Sequence, residues 1–137
     1  MMGQVCPRCP SGMSAHACPC ETVLVLHLHF LIEERQDLGH FVQAVVHGTP
    51  NALDLMPFAT QLQTATGAIK VKLPLTAWCA VLRLLPDAAV DPNEYLRRAA
   101  RYLDSSIRHN VAFRFPQWAL WLRDANAARL ALRRRVT

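Results

Sequence analysis

The sequence predicts an α+β protein that is dominated by helices, with a short two-stranded sheet, amphipathic helices and a cysteine-rich N-terminal segment. Two stretches alternate apolar and polar residues, which indicates strands. Most of the chain after Leu31 instead repeats its apolar residues with the period of a helix. Four of the five cysteines fall within the first 20 residues.

Length and composition suit one small folded domain behind that segment. The chain has 137 residues, of which 52% are hydrophobic and 18% are charged, so it can bury a core. We expect residues 1–21 to form a Cys- and Pro-rich segment, which is either a zinc knuckle or a disordered tail. Residues 22–137 are expected to form a single globular domain whose last third is basic and helical.

The first predicted element is a strand over residues 22–30, where strand-forming residues dominate. His27 and His29 fall on one face of its alternation. They are either two metal ligands on one strand face or members of a face that is partly exposed to water. We favour the exposed face.

The next predicted element is a helix over residues 31–47, because the apolar period changes at Leu31. Its predicted apolar face comprises Leu31, Leu38, Phe41, Val42, Val45 and Val46. Arg35 is expected to lie away from that face. Gly48 and Pro50 are expected to end the helix.

A second strand is predicted over residues 68–73, where apolar residues alternate with Lys70 and Lys72 and leave one face wet. Before it, Asn51 is expected to cap a short helical piece. Residues 57–66 are expected to add another turn or two of helix. The two strands are expected to pair into a small sheet.

Helices with clear boundary signals are predicted after the second strand. Residues 76–85 form a short apolar helix that Pro86 is expected to close. Asp91 is the predicted N-cap of a helix over residues 92–108, with Pro92 at its first position. The core stripe of that helix is predicted to comprise Leu96, Ala99, Ala100, Leu103 and Ile107.

A last helix is predicted over residues 116–135. Trp118 and Trp121 lie on its predicted buried side, most simply as core anchors. Packing of this Trp-bearing helix on a partner is the alternative, and it would make the protein an interaction module.

Positive charge is concentrated in the last third of the chain. Residues 1–90 hold five basic and six acidic side chains, whereas residues 91–137 hold ten basic and four acidic ones. Arginine presents a planar fork of donors to an oxyanion, so this region suits nucleic acid or an acidic protein surface. The predicted nucleic-acid contacts are Arg97, Arg101 and Arg108 in one row opposite the core stripe, and Arg133, Arg134 and Arg135 at the chain end. A solvated helix face and a favourable interaction with the helix dipole are the competing explanations.

The clustered cysteines have the spacing of a zinc site. Cys-x-x-Cys lets two thiolates reach one metal ion, and a second pair of ligands follows within a dozen residues. The candidate ligands are Cys6, Cys9, Cys18, Cys20 and His16, with Cys20 and His16 as alternatives for the fourth position. Inert reduced thiols, a pair of disulfides in a secreted chain and a redox-active Cys-Pro-x-Cys are the other interpretations.

The sequence contains no motif that names a reaction. Phosphate-binding loops, dinucleotide-binding turns, zinc-protease helices and nucleophile elbows are all missing, so we do not expect an enzyme. Residues 1–20 do not have the pattern of a secretory signal, and the longest apolar run, residues 22–32, is too short to span a bilayer. We therefore predict a small basic cytoplasmic binding or regulatory protein that contacts nucleic acid. A protein-interaction module and a reading frame without a defined activity are the alternatives.

Overall fold

Two strands and four α-helices make up most of the residues that the computed structural model describes, which are 22–48, 52–65 and 67–116. In chain order they are β1 (Val23–Leu28), α1 (Ile32–Val45), a 3-10 turn (Val46–Gly48), α2 (Ala52–Thr64), β2 (Ile69–Pro74), α3 (Leu75–Ala89) and α4 (Glu94–Arg114). The predicted helix-dominated α+β class is confirmed. The cysteine-rich segment and nearly all of the predicted last helix lie outside the described residues.

The two strands pair antiparallel, with a register that runs from Val23 opposite Pro74 to Leu28 opposite Ile69. One face of the sheet is buried, and it comprises Leu24, Leu26, Leu28, Ile69, Val71 and Leu73. We call the other face the outer sheet face; it comprises Val23, Val25, His27, His29, Lys70, Lys72 and Pro74, all exposed or half-buried. The expected exposure of the two histidines is therefore confirmed.

Hydrogen bonds show which backbone groups point away from the strand pair. The amide of Leu75 donates to the carbonyl of Thr22 over 2.9 Å, so this is a hydrogen-bonded position. Hydrogen-bonded and non-hydrogen-bonded pairs alternate along an antiparallel ladder, which makes Val25–Lys72 and His27–Lys70 non-hydrogen-bonded pairs. Their backbone groups point towards the sheet edges.

A helix lies beside each edge of the sheet. The side-chain amide of Gln61 in α2 donates to the outward carbonyl of Lys70 over 2.9 Å. On the β1 side, the amide of His29 donates to the hydroxyl of Tyr102 in α4, also over 2.9 Å. The sheet is thus flanked by α2 at the β2 edge and by α4 at the β1 edge.

Two residues of the helix predicted over residues 31–47 differ from their predicted positions. Leu31 is the N-cap of α1 and is 56% exposed. Its backbone amide donates to the Glu34 carboxylate over 3.0 Å. Arg35 is only 3% exposed, although the sequence placed it away from the apolar face. Its guanidinium donates to the carbonyl of Leu62 in the last turn of α2 over 2.5 Å. Carbonyls at a helix C-terminus need donors and attract cations, which explains the burial of this arginine.

Two prolines that were expected to mark helix boundaries lie inside helices. α2 is continuous through Pro57, so the two predicted helical pieces are one helix. α3 likewise continues past Pro86 to Ala89. A proline removes one backbone donor and disfavours the preceding turn, at a cost of about 3 kcal/mol. Buried residues on both sides of each proline outweigh that cost; they are Leu55 and Phe58 in α2, and Leu85 and Ala88 in α3.

The start of α4 lies two residues later than predicted. Asn93, and not Asp91, is the N-cap, because its side-chain oxygen accepts from the amides of Tyr95 at 2.9 Å and Leu96 at 3.3 Å. The Asp91 carboxylate instead accepts from the amide of Asn93 over 2.9 Å. The predicted core stripe is buried in full, and Val111 extends it beyond the predicted end of the helix.

The core joins the sheet to all four described α-helices. Trp78 of α3 is fully buried, and its indole N–H donates to the carbonyl of Leu24 in β1 over 2.9 Å. Its ring meets that of Phe58 edge to face, with 5.7 Å between the centroids. Leu103 of α4 is also fully buried, and Cys79 lies in the same core at 4% exposure.

Candidate nucleic-acid interface

The three arginines that were predicted to form a row on α4 have different environments. Arg97 is half-buried, and one of its terminal nitrogens donates to the carbonyls of Asp91 and Pro92, each over 2.8 Å. These bonds tie α4 to the loop that precedes it. Arg97 is therefore turned towards its own protein, contrary to the predicted solvent-facing row.

Arg108 and Arg101 remain on an accessible side of α4. Arg108 pairs with Asp104 one turn earlier over 2.9 Å, with both side chains about one-third exposed. Arg101 is exposed and makes no hydrogen bond or ion pair with any described residue. Arg98, which lies about one helical turn before Arg101, pairs with Glu94 over 2.7 Å, and more than half of both side chains is exposed.

We call Arg98, Arg101 and Arg108 the α4 arginine surface. Two of its members have a carboxylate partner that water also reaches, and exposed ion pairs of this kind contribute about 0–1 kcal/mol. A phosphate group can therefore replace the carboxylate at little cost. The sequence alone did not single out Arg98, although its spacing from Glu94 is the i,i+4 signal of a helical ion pair.

The outer sheet face holds a second group of basic side chains. His27 lies directly across from Lys70, and Val25 lies across from Lys72. His29 directly follows β1 and is also exposed, so two lysines and two histidines lie on or next to one face of the sheet. The sequence placed each pair on a wet face of its own strand, but it did not show that the two strands bring the pairs together.

This arrangement disfavours the alternative in which His27 and His29 bind a metal ion. Lys70 is the cross-strand neighbour of His27, and an ammonium group repels a bound cation. Within the described part of the chain, no group of three or more His, Cys, Asp or Glu side chains could hold a metal. The predicted zinc ligands between Cys6 and Cys20 lie outside that part, and so do Arg133, Arg134 and Arg135.

Tyr102 links the outer sheet face to the α4 arginine surface. Besides accepting from the His29 amide, its ring meets Phe30 edge to face with 5.0 Å between the centroids. The ring remains 36% exposed. Arg101 is its chain neighbour and Arg98 precedes it by one helical turn. Tyr102 therefore joins the end of β1 to α4 on the side where Arg98 lies.

The opposite edge of the sheet carries an open cleft of about 220 Å³ between α2 and β2. Leu53 and Pro57 line it from α2, and Lys72 and Pro74 line it from β2. Leu53 is 89% exposed. This cleft, lined by both apolar and polar side chains, is a feature of the described residues that could receive a protein partner.

Comparison with known proteins assigns no family to the chain. No protein-family model, no curated protein and no solved structure matches it. None of the described helices is long and apolar enough to cross a membrane. A function has to be inferred from the surfaces described above.

Proposed function

We propose that this protein is a small basic binding protein that contacts nucleic acid through the α4 arginine surface. The observation that supports this best is the exposure of Arg101, which has no partner among the described residues and lies between two arginines with weak ion pairs. Arginine donates to phosphate oxygens in a charge-assisted, often bidentate manner. Such contacts position a protein on a nucleic acid without reading its sequence.

Arg97 has a different role in this proposal. Its two carbonyl acceptors occupy the guanidinium, so we expect it to hold the loop before α4 and not to contact phosphate. Arg133, Arg134 and Arg135 stay predicted contacts at the chain end. The cytoplasm stays the predicted compartment, and the proposal assigns no catalytic step.

The salt dependence of binding tests this proposal. Each lost phosphate contact should lower the log–log slope of affinity against salt by about 0.7 for a single strand and 0.9 for a duplex. We expect the double change Arg98→Gln and Arg101→Gln to lower the slope by about two such steps, measured by fluorescence anisotropy with a labelled oligonucleotide. Arg97→Gln should leave the slope unchanged.

Arg83→Gln is the matched control, since it removes the same charge from an exposed position on α3. It should leave both affinity and slope close to those of the parent. A lack of measurable binding at about 50 mM salt, or an equal effect of the control, would contradict the proposal.

A protein-interaction module is the second candidate function. The 89% exposed Leu53 at the α2–β2 cleft and the 48% exposed Met56 elsewhere on α2 favour it. Association driven by apolar burial tolerates salt and has a negative heat-capacity change. Binding that persists at high salt and is lost in Leu53→Ser would favour this candidate over nucleic acid.

A further inference from the structure

We propose that the outer sheet face binds single-stranded nucleic acid, with Lys70 and Lys72 contacting phosphates and the rings of His27 and His29 stacking on bases. This inference rests on the proposed function, because both assume a nucleic-acid partner. It concerns a separate surface, however, and other residues carry it. Its failure is therefore distinguishable from that of the α4 proposal.

Charge complementarity is the first argument. Two lysines, two histidines and no acidic side chain lie on the outer sheet face, whose remaining members are two valines and a proline. Asp54 of α2 lies at its margin, where it lines the cleft beside Lys72, and it makes no salt bridge with that lysine. A surface with one sign of charge attracts a polyanion and raises its association rate.

The cross-strand geometry is the second argument. His27 and Lys70 form a non-hydrogen-bonded pair, the closer kind, in which the Cα atoms are about 4.5 Å apart. Positions two residues apart on a strand are separated by about 6.6 Å. The His27 ring therefore lies beside the Lys70 side chain, and His29 follows two positions further along, so a base can stack on a ring while its phosphate meets a neighbouring lysine. Stacking on such rings tolerates any base.

The burial of the opposite face favours a single strand over a duplex. A two-stranded ribbon can enter the major groove of DNA, but here Leu26 and Val71 hold the other face against the core at 2% exposure each. Bases within a duplex are also stacked on one another and cannot reach a ring. An unpaired strand can lie flat on this face. Beyond His29 it would reach Tyr102 and the α4 arginine surface.

Two double variants of the full chain separate phosphate contacts from stacking. Lys70→Gln with Lys72→Gln should lower the salt slope for a labelled single-stranded DNA by about 1.4. His27→Ala with His29→Ala should weaken that binding about fivefold or more. For an abasic oligonucleotide of equal length, the lysine variant should show the same loss and the histidine variant almost none. His27→Phe with His29→Phe retains a ring at each position and should restore the affinity.

All four side chains are exposed, so unchanged melting temperatures of the variants are the control for folding. Loss of binding in Arg98→Gln/Arg101→Gln but not in the lysine variant overturns this inference and leaves the α4 proposal intact. An equal effect of the histidine variant on normal and abasic oligonucleotides overturns the stacking role. Lysine-dependent binding to vesicles of phosphatidylserine and phosphatidylcholine, with none to the oligonucleotide, overturns nucleic acid as the partner.

Discussion

At the start of α4, the side chain of Asn93 supplies an acceptor for two backbone amides that the helix cannot pair internally. Its amide group also donates to the Asp37 carboxylate of α1 over 2.9 Å. One residue thus begins the helix that carries the proposed arginine surface and fixes that helix to its neighbour. The adjacent bonds from Arg97 to the loop carbonyls strengthen the same junction.

We expect Asn93→Ala to lower the free energy of unfolding by about 1–2 kcal/mol, because it removes the cap. Asn93→Ser is the matched control, since serine retains a capping oxygen, and it should recover most of that loss. Urea denaturation with an unchanged m-value measures both. If Asp91→Ala cost more than Asn93→Ala, the cap assigned to Asn93 would be wrong.

The roles of two single residues could not be predicted from the sequence. Asp91 was predicted as the cap of α4, but the course of the backbone gives that role to Asn93. The burial of Arg35 could not be predicted either, because its acceptor is a carbonyl of Leu62, 27 positions further along the chain. The core stripe of α4 was predictable, since it depends only on helical spacing.

Among the elements, α1 and α2 pack closely against each other at Gly39. A Cβ atom at this position would lie 2.7 Å from Cγ of Gln63, 3.0 Å from Cβ of Leu62 and 3.1 Å from the carbonyl oxygen of Ala59. The Gln63 amide also donates to the Gln43 side chain over 2.7 Å, across the same contact. Glycine is needed here because of close packing, and not because of its backbone conformation.

Gly39→Ala should therefore destabilise the protein by about 1 kcal/mol. Alanine alone would stabilise a helix by about 1 kcal/mol relative to glycine. The overpacked contact with α2 outweighs that gain. The double change Gly39→Ala with Gln63→Ala removes the shortest contact and should recover part of the loss in thermal or urea unfolding. An increase in stability for Gly39→Ala alone would show that the helices can separate freely.

Element boundaries were less predictable than element types. Both strands and the helices α1 and α4 follow from apolar periodicity. Pro57 and Pro86 misled the prediction because a local rule was applied where tertiary packing decides. A single sequence does not reveal this packing, because the packing depends on which face each helix buries.

Over the whole molecule, 40 residues separate the end of β1 from the start of β2, and the pairing of the two strands creates the outer sheet face. The sequence indicated the strands and the exposed side of each. The register could not be predicted, because it depends on how the helices between the strands pack. The joint basic surface of the two strands was missed for that reason.

The cysteine-rich N-terminal segment is predicted to bind zinc. We expect about one equivalent per chain, held by Cys6, Cys9, Cys18 and either Cys20 or His16. Native mass spectrometry of reduced protein measures it, and Cys6→Ser with Cys9→Ser should release the metal. Cys79→Ala is the control that should retain it, since Cys79 is buried in the core. Metal-free native protein with four freely alkylated thiols would contradict the prediction.

The bond between Gln61 and the Lys70 carbonyl also bears on self-association. A strand from another copy, approaching the β2 edge that no described strand covers, would find that carbonyl already occupied. Pro74 offers no N–H, so Lys72 alone presents both a donor and an acceptor. Fibril growth needs a continuous row of such groups. A second copy therefore finds little template for strand addition at the β2 edge.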